Sequence, residues 1–147
     1  MASNRLLIAA PRIFPRGKCP GRPTIKRKMP TLPIRGALIG PHGPVARHVE
    51  WATTFASRRK GVRGRGPLSP DEALILSPCR QVHTIGVSFA IDAVFCDKAL
   101  RILHVQTLRP RRISRLVGRA RCCIELIAGR AGQCGLAPGV QLSMEAI

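Results

Sequence analysis

The sequence predicts a mainly β domain in which most strands run antiparallel, accompanied by one or two short helices. Short apolar runs recur along the chain, and Gly, Pro or Asp-Lys separates each run from the next. Few stretches show the 3.6-residue period of an amphipathic helix. The later strands are predicted in the runs ALILS (73–77), IDAVFC (91–96), LRILHVQTL (100–108), RCCIELI (121–127) and VQLSM (140–144).

The first element of the folded part is VARHVEWA (45–52), whose alternation predicts a strand. TTFASRRKG (53–61) predicts a short helix, with Thr53 or Thr54 as the N-cap and Gly61 as the C-cap. A hairpin turn is expected around Asp97, Lys98 and Ala99. The Gly-rich stretch 128–139 predicts one helical turn followed by a tight connection into the last strand.

Residues 1–44 contain eight of the thirteen prolines and are expected to form a basic, disordered extension. A single β domain is expected over 45–147. Met29 is a second candidate start codon, in which case residues 1–28 are an artefact of gene calling. No apolar run approaches the roughly 18 residues that span a membrane, and no export signal is visible. A cytoplasmic location is therefore expected.

The formal net charge of +18 is compatible with nucleic-acid binding through the tail and the Arg-rich stripe 109–121. Eight of the 25 basic residues lie in residues 1–28, and Arg outnumbers Lys twenty to five. This pattern also fits a compositional bias towards Arg codons. No aromatic residues are interleaved with the stripe, which disfavours stacking on single strands.

The six cysteines contain no C-x-x-C pair, and they are expected to be reduced thiols. Cys79 and His83 are four residues apart, which would suit two zinc ligands on a helix, but Pro78 and the following residues do not predict a helix. Two ligands are also fewer than a zinc site needs. No metal and no cofactor are predicted.

A Cys–His nucleophilic site built on Cys79 and His83, with Asp92 as the orienting group, is an alternative. The sequence contains no known local motif of a cysteine hydrolase, so no catalytic residue is assigned. Asp92 and Glu125 are the two acids inside apolar β-runs, and Arg58 and Arg59 are candidate partners. The acids form a structural ion pair, cap backbone N–H groups, or belong to a polar cleft for a small anionic ligand.

The order of motifs resembles the bacterial and archaeal family called domain of unknown function 192, in a short Arg-rich form of actinobacterial type. The resemblance covers about residues 45–144. It rests on ASRRKGVRGR, ALILSPCRQVHTIGVSFAIDAVFCDKALRILHV, LRPRRIS, CCIELIAGRAGQCGL and APGVQLSM. It implies a small, barrel-like β domain with one or two short helices, in which 79–95 is the central β-segment. It implies no activity. Many relatives carry an export signal.

Residues that match the family's signature segments are Arg58, Gly61, Pro78, Cys79, Val82, His83, Thr84, Gly86, Ile91, Asp92, Phe95, Glu125 and Gly129. Departures from the family pattern occur at Val62, Val87, Cys134 and Val140. From these positions we expect a non-enzymatic domain that binds a small polar ligand or a protein partner. The expected binding residues are Arg58, Cys79, His83, Thr84, Asp92 and Glu125.

Overall fold

The computed structural model describes residues 36–146, and the strands in this part of the chain form two sheets. The strands are β1 (Gly36–Gly40), β2 (Gly43–Ala46), β3 (His48–Ala52), β4 (Glu72–Leu76), β5 (Ile91–Cys96), β6 (Ile102–Leu108), β7 (Cys122–Ile127) and β8 (Ser143–Ala146). The short helices are α1 (Phe55–Lys60) and α2 (Arg130–Gln133). The predicted mainly β class is confirmed, although the two sheets do not close into a barrel.

The smaller sheet has the strand order β2-β1-β8, and the larger sheet has the order β3-β4-β7-β5-β6. Neighbouring strands are antiparallel except for β3 and β4, which run parallel with α1 between them in sequence. Among the described residues, neither helix has the length and apolarity that crossing a membrane requires.

Ordered β structure begins earlier in the chain than the expected boundary at residue 45. Strand β1 and the first residues of β2 lie within the expected extension 1–44, and residues 1–35 lie outside the described part. The strand predicted over 45–52 is divided between the two sheets. The chain bends at Arg47, because the backbone N–H groups of Arg47 and His48 both donate to the carbonyl oxygen of Asp71 (3.0 Å each).

The central strands β5 and β7 are buried on both faces, so alternate side chains enter two different apolar clusters. Ile124 and Val94 lie in the cluster between the two sheets. Cys123 and Phe95 lie in the cluster on the opposite face. That second face is covered by α1 and by irregular segments instead of by another sheet.

The stretch 79–90 is mainly irregular and not the first half of a central β-segment; only 91–96 is a strand. Residues 80–84 of this irregular stretch pair with residues 112–117 in a loose ribbon. The backbone N–H of Thr84 donates to Arg112 O (2.8 Å), that of Ser114 to Val82 O (2.8 Å), and that of Val117 to Arg80 O (2.9 Å). Val82 and Val87 thereby reach the second apolar cluster.

Helix α1 begins with a capping box, as the Thr54 side chain accepts from the backbone N–H of Ser57 (3.1 Å) and the Ser57 hydroxyl accepts from Thr54 N (3.0 Å). The helix ends at Gly61, which has a positive φ of 48°. The predicted caps are confirmed. None of its residues is fully buried, so this cap does much to hold the helix in place.

Replacing Thr54 with Ala should lower the free energy of unfolding by about 1 kcal/mol, because it removes the side-chain acceptor of the capping box. Urea unfolding monitored by circular dichroism would measure this. The matched control is Thr53→Ala, which changes the adjacent residue without touching the cap. Equal losses in the two variants would contradict the assigned N-cap.

Candidate functional site

A cleft of about 380 Å³ opens on the second face of the large sheet, between α1 and the segment 78–83. Basic side chains from both elements surround it, and Glu125 on β7 forms part of its floor. Its apolar lining is supplied by Val62, Leu76, Val82 and Val87. Its basic lining is supplied by Arg58, Arg59, Lys60, Arg63 and Arg80, with His83 beside them.

Glu125 is placed in this cleft by the register of β7. It lies opposite Leu74 on β4 and Ala93 on β5, so its side chain points to the face that α1 covers. Only 3% of the residue is exposed, and its Oε2 atom has no hydrogen-bond partner in the part of the chain that the structure describes. Gly61 lies next to the Glu125 carboxyl group, because a Cβ atom on residue 61 would be 3.6 Å from Oε2.

The pKa of Glu125 is raised to about 8, chiefly by burial and to a lesser extent by the negative charge of nearby Cys79, while Arg65 acts in the opposite direction. The carboxyl group is therefore protonated at neutral pH. A protonated carboxyl has an O–H that can donate to an anion.

Arg58 reaches across the end of the cleft and connects α1 to the end of β4. Its Nη1 atom donates to the carbonyl oxygen of Thr53 (2.6 Å) and to that of Ser77 (3.4 Å). It forms no ion pair with Glu125 or Asp92 in residues 36–146, so the expected pairing with these acids is not observed. Its charge is instead directed to backbone oxygens, next to the cleft.

Cys79 lies beside Glu125 and is half-buried. Its backbone N–H donates to Arg121 O (3.2 Å), and its thiol lies 3.3 Å from the carbonyl oxygen of Gln81. A hydrogen bond from the thiol of Cys123 lowers the pKa of Cys79, and the charge of Arg58 acts in the same direction. Burial raises the pKa of Cys123.

His83 lies at the rim of the cleft and is exposed. Its Nδ1 atom accepts a hydrogen bond from the backbone N–H of Ile85 (3.3 Å). No hydrogen bond joins His83 to Cys79 within residues 36–146, so the two groups are not arranged as a nucleophile and its base.

Thr84 and Asp92 lie outside the cleft, and both make structural hydrogen bonds. The fully buried Thr84 hydroxyl donates to Arg109 O (2.5 Å) and accepts from Arg112 N (2.9 Å), which fixes the ribbon. The Asp92 carboxylate accepts from the Thr107 hydroxyl (2.7 Å) and from the backbone N–H of Ala131 (2.9 Å) in α2. Asp92 pairs with Leu126, so it faces the opposite side of the sheet from Glu125.

The structure therefore brings together Arg58, Cys79, His83 and Glu125 from the six predicted binding residues. Cys123 was not predicted as part of the site. Its spacing of two from Glu125 in the strand CCIELI already places both side chains on one face. Gly61 was predicted only as a helix cap, and its close approach to Glu125 has no separate signal in the sequence.

Elsewhere, the described residues form neither a metal site nor a second cleft with a buried unpaired acid. The 36–146 part contains no group of three or more His, Cys, Asp or Glu side chains that could hold a metal ion. A larger cleft of about 490 Å³ lies along β3 and β4. Its Arg65 is paired with Glu50 (3.1 Å) and its Arg47 with Asp71 (3.7 Å). None of the described side chains that line it has a buried polar atom without a hydrogen-bond partner.

Together, the fold and the site define a small two-sheet β domain with a basic cleft over a buried, neutral carboxyl group. The chain belongs to the family of domain of unknown function 192, described as "Uncharacterized ACR", whose sequence profile matches residues 38–144. No curated protein matches the sequence.

Two solved structures are similar to this chain at 21% sequence identity each, which establishes likeness of fold. One is a protein of unknown function from Novosphingobium aromaticivorans DSM 12444, with a TM-score of 0.64 over 74% of this chain and 82% of that chain. The other is a candidate transcription regulator from Sinorhizobium meliloti 1021, with a TM-score of 0.62 over 74% of this chain and 91% of that chain.

The raised pKa of Glu125 predicts a specific pH dependence of stability. The folded state holds a proton on Glu125 up to about pH 8, whereas the unfolded state loses it near 4.5. The contribution of Glu125 to the free energy of unfolding is therefore most favourable below pH 4.5. It falls as pH rises towards 8, by up to about 1.4 kcal/mol per pH unit. Glu125→Gln should remove this slope.

Urea unfolding between pH 5 and 9 would measure the difference between the wild type and Glu125→Gln. Glu145→Gln, an exposed acid on β8, is the matched control. A constant difference between wild type and Glu125→Gln across this range would contradict a buried neutral carboxyl.

The lowered pKa of Cys79 predicts that iodoacetamide modifies it in the folded protein at pH 7 faster than Cys134, which is also half-buried. Cys123→Ala should slow that reaction, because the thiol that donates to Cys79 is gone. Peptide mass spectrometry after timed quenching would give both rates. An unchanged Cys79 rate in Cys123→Ala would show that the two thiols are not coupled.

Proposed function

We propose that this protein is a non-enzymatic binding domain whose cleft holds a small anionic ligand. The observation that carries the proposal is the buried Glu125 carboxyl, whose Oε2 atom lacks a hydrogen-bond partner in the described part of the chain. A buried polar group without a hydrogen-bond partner costs on the order of 1–3 kcal/mol. A ligand that bonded to this group would remove the cost.

The charges around the cleft favour an anion. The described side chains that line it include five Lys or Arg residues, and Glu125 is the one acidic residue among them. Because the raised pKa of Glu125 keeps it neutral at pH 7, the carboxyl does not repel an anion and can donate a hydrogen bond to it. The valine and leucine side chains of the lining suit a ligand with a compact apolar part.

A Cys–His hydrolase is a weaker candidate for the same cleft. The lowered pKa of Cys79 favours a reactive thiolate. A hydrolase also needs a base within hydrogen-bonding reach of that thiol, and the Nδ1 atom of His83 is occupied by the backbone N–H of Ile85. The binding role needs no such pairing, which is why we prefer it.

The test is a thermal-shift titration of the full chain with phosphate, acetate, succinate and benzoate, each at constant ionic strength. A ligand at one hundred times its Kd should stabilise the protein by about 2.7 kcal/mol. Glu125→Leu should abolish the shift, because it removes the donor, whereas Glu145→Leu should preserve it.

The pH dependence of binding separates this site from nonspecific anion binding to arginines. Cys79 also titrates close to Glu125, and the cationic groups Arg58 and Arg65 face the same region, so the titration is made in a Cys79→Ser background. Affinity should fall as pH rises through 8 and Glu125 ionises. Glu125→Gln, which keeps a donor but cannot ionise, should bind equally well at pH 7 and pH 9. Equal pH profiles in the two proteins would overturn the proposal.

A further inference from the structure

The large apolar side chains that are strongly exposed in residues 36–146 lie at the start of α1 and on the loops 78–90 and 109–121. They are Phe55 (71% exposed), Ile85 (51%), Ile113 (61%) and Leu116 (62%). Monomeric proteins expose single apolar side chains routinely, but a cluster of large ones marks an interaction surface. Whether these side chains form a cluster depends on how their loops are joined.

Direct contacts connect three of these loops around the mouth of the cleft. Phe55 and His83 both line the cleft. His83 forms a β-bridge with Ile113 and accepts a hydrogen bond from the backbone N–H of Ile85. The side chain of Arg63 packs against Gly86, where a Cβ atom would lie only 3.3 Å from it. The chain that follows α1 therefore touches the loop that carries Ile85.

Leu116 belongs to the same surface through the ribbon. The backbone N–H of the next residue, Val117, donates to Arg80 O (2.9 Å), and Arg80 lines the cleft. The segments 54–66, 78–90 and 109–121 are therefore joined beside the cleft and carry all four exposed apolar side chains, with Leu116 lining an adjacent cleft together with Leu103 and His104. We call these three segments the docking face.

The charge of the docking face is entirely positive. Residues 36–146 contain 16 Lys or Arg and seven Asp or Glu. Twelve of those 16 basic residues lie in the docking face, and none of the seven acids does. Most of these basic side chains are exposed, among them Arg80, Arg111, Arg112 and Arg115.

We infer that the docking face binds the surface of an anionic lipid bilayer. Aliphatic side chains that project from loops can enter the boundary between headgroups and acyl chains, while surrounding arginines bind lipid phosphates. A nucleic-acid backbone would neutralise the arginines but leave the isoleucine and leucine side chains in water. The charge and the exposed aliphatic groups together therefore fit a lipid surface. This inference does not depend on the ligand proposed for the cleft.

The test is co-sedimentation of the full chain with vesicles of phosphatidylcholine, with and without phosphatidylglycerol. Binding should require phosphatidylglycerol. The double variant Ile85→Ser/Ile113→Ser should bind about 100-fold more weakly at moderate salt, since each side chain contributes roughly tenfold through apolar burial. Met144→Ser on β8 is the control for loss of a partly exposed apolar side chain, and its binding should be unchanged.

A second pair of variants tests the charge. Arg112→Gln should weaken vesicle binding about fivefold at low salt, whereas Arg101→Gln, which removes an exposed arginine outside the docking face, should not. The basic residues 1–35 are present in every variant, so differences between variants report on the docking face. Thermal melting of each protein checks that it is folded.

Vesicle binding that is the same in the wild type and in Ile85→Ser/Ile113→Ser would overturn the inference. Tight binding to a DNA or RNA duplex that the serine substitutions leave unchanged, without vesicle binding, would assign the face to nucleic acid instead. Glu125→Leu should bind vesicles normally. Loss of small-anion binding and loss of vesicle binding are therefore distinguishable.

Discussion

The register of β7 between β4 and β5 determines where the two buried acids of this domain lie. The strand is hydrogen-bonded on both edges and covered on both faces, so none of its side chains up to Leu126 can avoid the interior. Ile124 and Leu126 enter the cluster between the sheets, and Cys123 and Glu125 enter the face beneath α1. A shift by one residue would exchange these sets and place Glu125 between the two sheets.

This constraint explains why the two buried acids have different environments. Asp92 on β5 pairs with Leu126 and therefore points towards α2, where a hydroxyl and a backbone N–H both donate to its carboxylate. Glu125 points the other way, towards a helix whose backbone ends at Gly61 and whose Arg58 is directed to carbonyl oxygens. The carboxyl of Asp92 is satisfied within the fold, whereas that of Glu125 is not. The difference in hydrogen bonding separates a structural acid from a candidate ligand-binding acid.

The strands and the helix caps could be predicted from the sequence because they depend on local signals. Alternation and turn residues located β4 to β7 to within two residues, and Thr54 and Gly61 were identifiable as caps. The family resemblance implied a central β-segment over 79–95, of which only 91–96 is a strand, although Val82, Thr84 and Val87 are buried as strand residues would be. The backbone partners of Val82 and Thr84 lie in 109–117, about 30 residues away, whereas Val87 N–H donates to Thr84 O in a turn, and the positive φ of Gly86 (84°) turns the chain out of any extended path.

The candidate site could be predicted only in part, because it depends on register between strands. The sequence indicated that Asp92 and Glu125 were unusual, but it could not show that Ala93, not Asp92, lies opposite Glu125. It also could not show that Arg58 would be directed to the backbone of Thr53 and Ser77. Pairings of this kind are set by tertiary structure, so no short-range pattern encodes them.

The cleft and the docking face share their rim, and this arrangement has a physical consequence. His83 and Arg80 line the cleft, and both belong to the ribbon that carries the exposed isoleucines. A lipid surface that covered the docking face would also exclude water from the mouth of the cleft. Lower local dielectric strengthens the attraction between the basic rim and an anion, and it further favours the neutral form of Glu125. Anionic headgroups bound to Arg80 would also compete with a small anion for the same charge, so the two surfaces are coupled through their shared rim without any change in the fold.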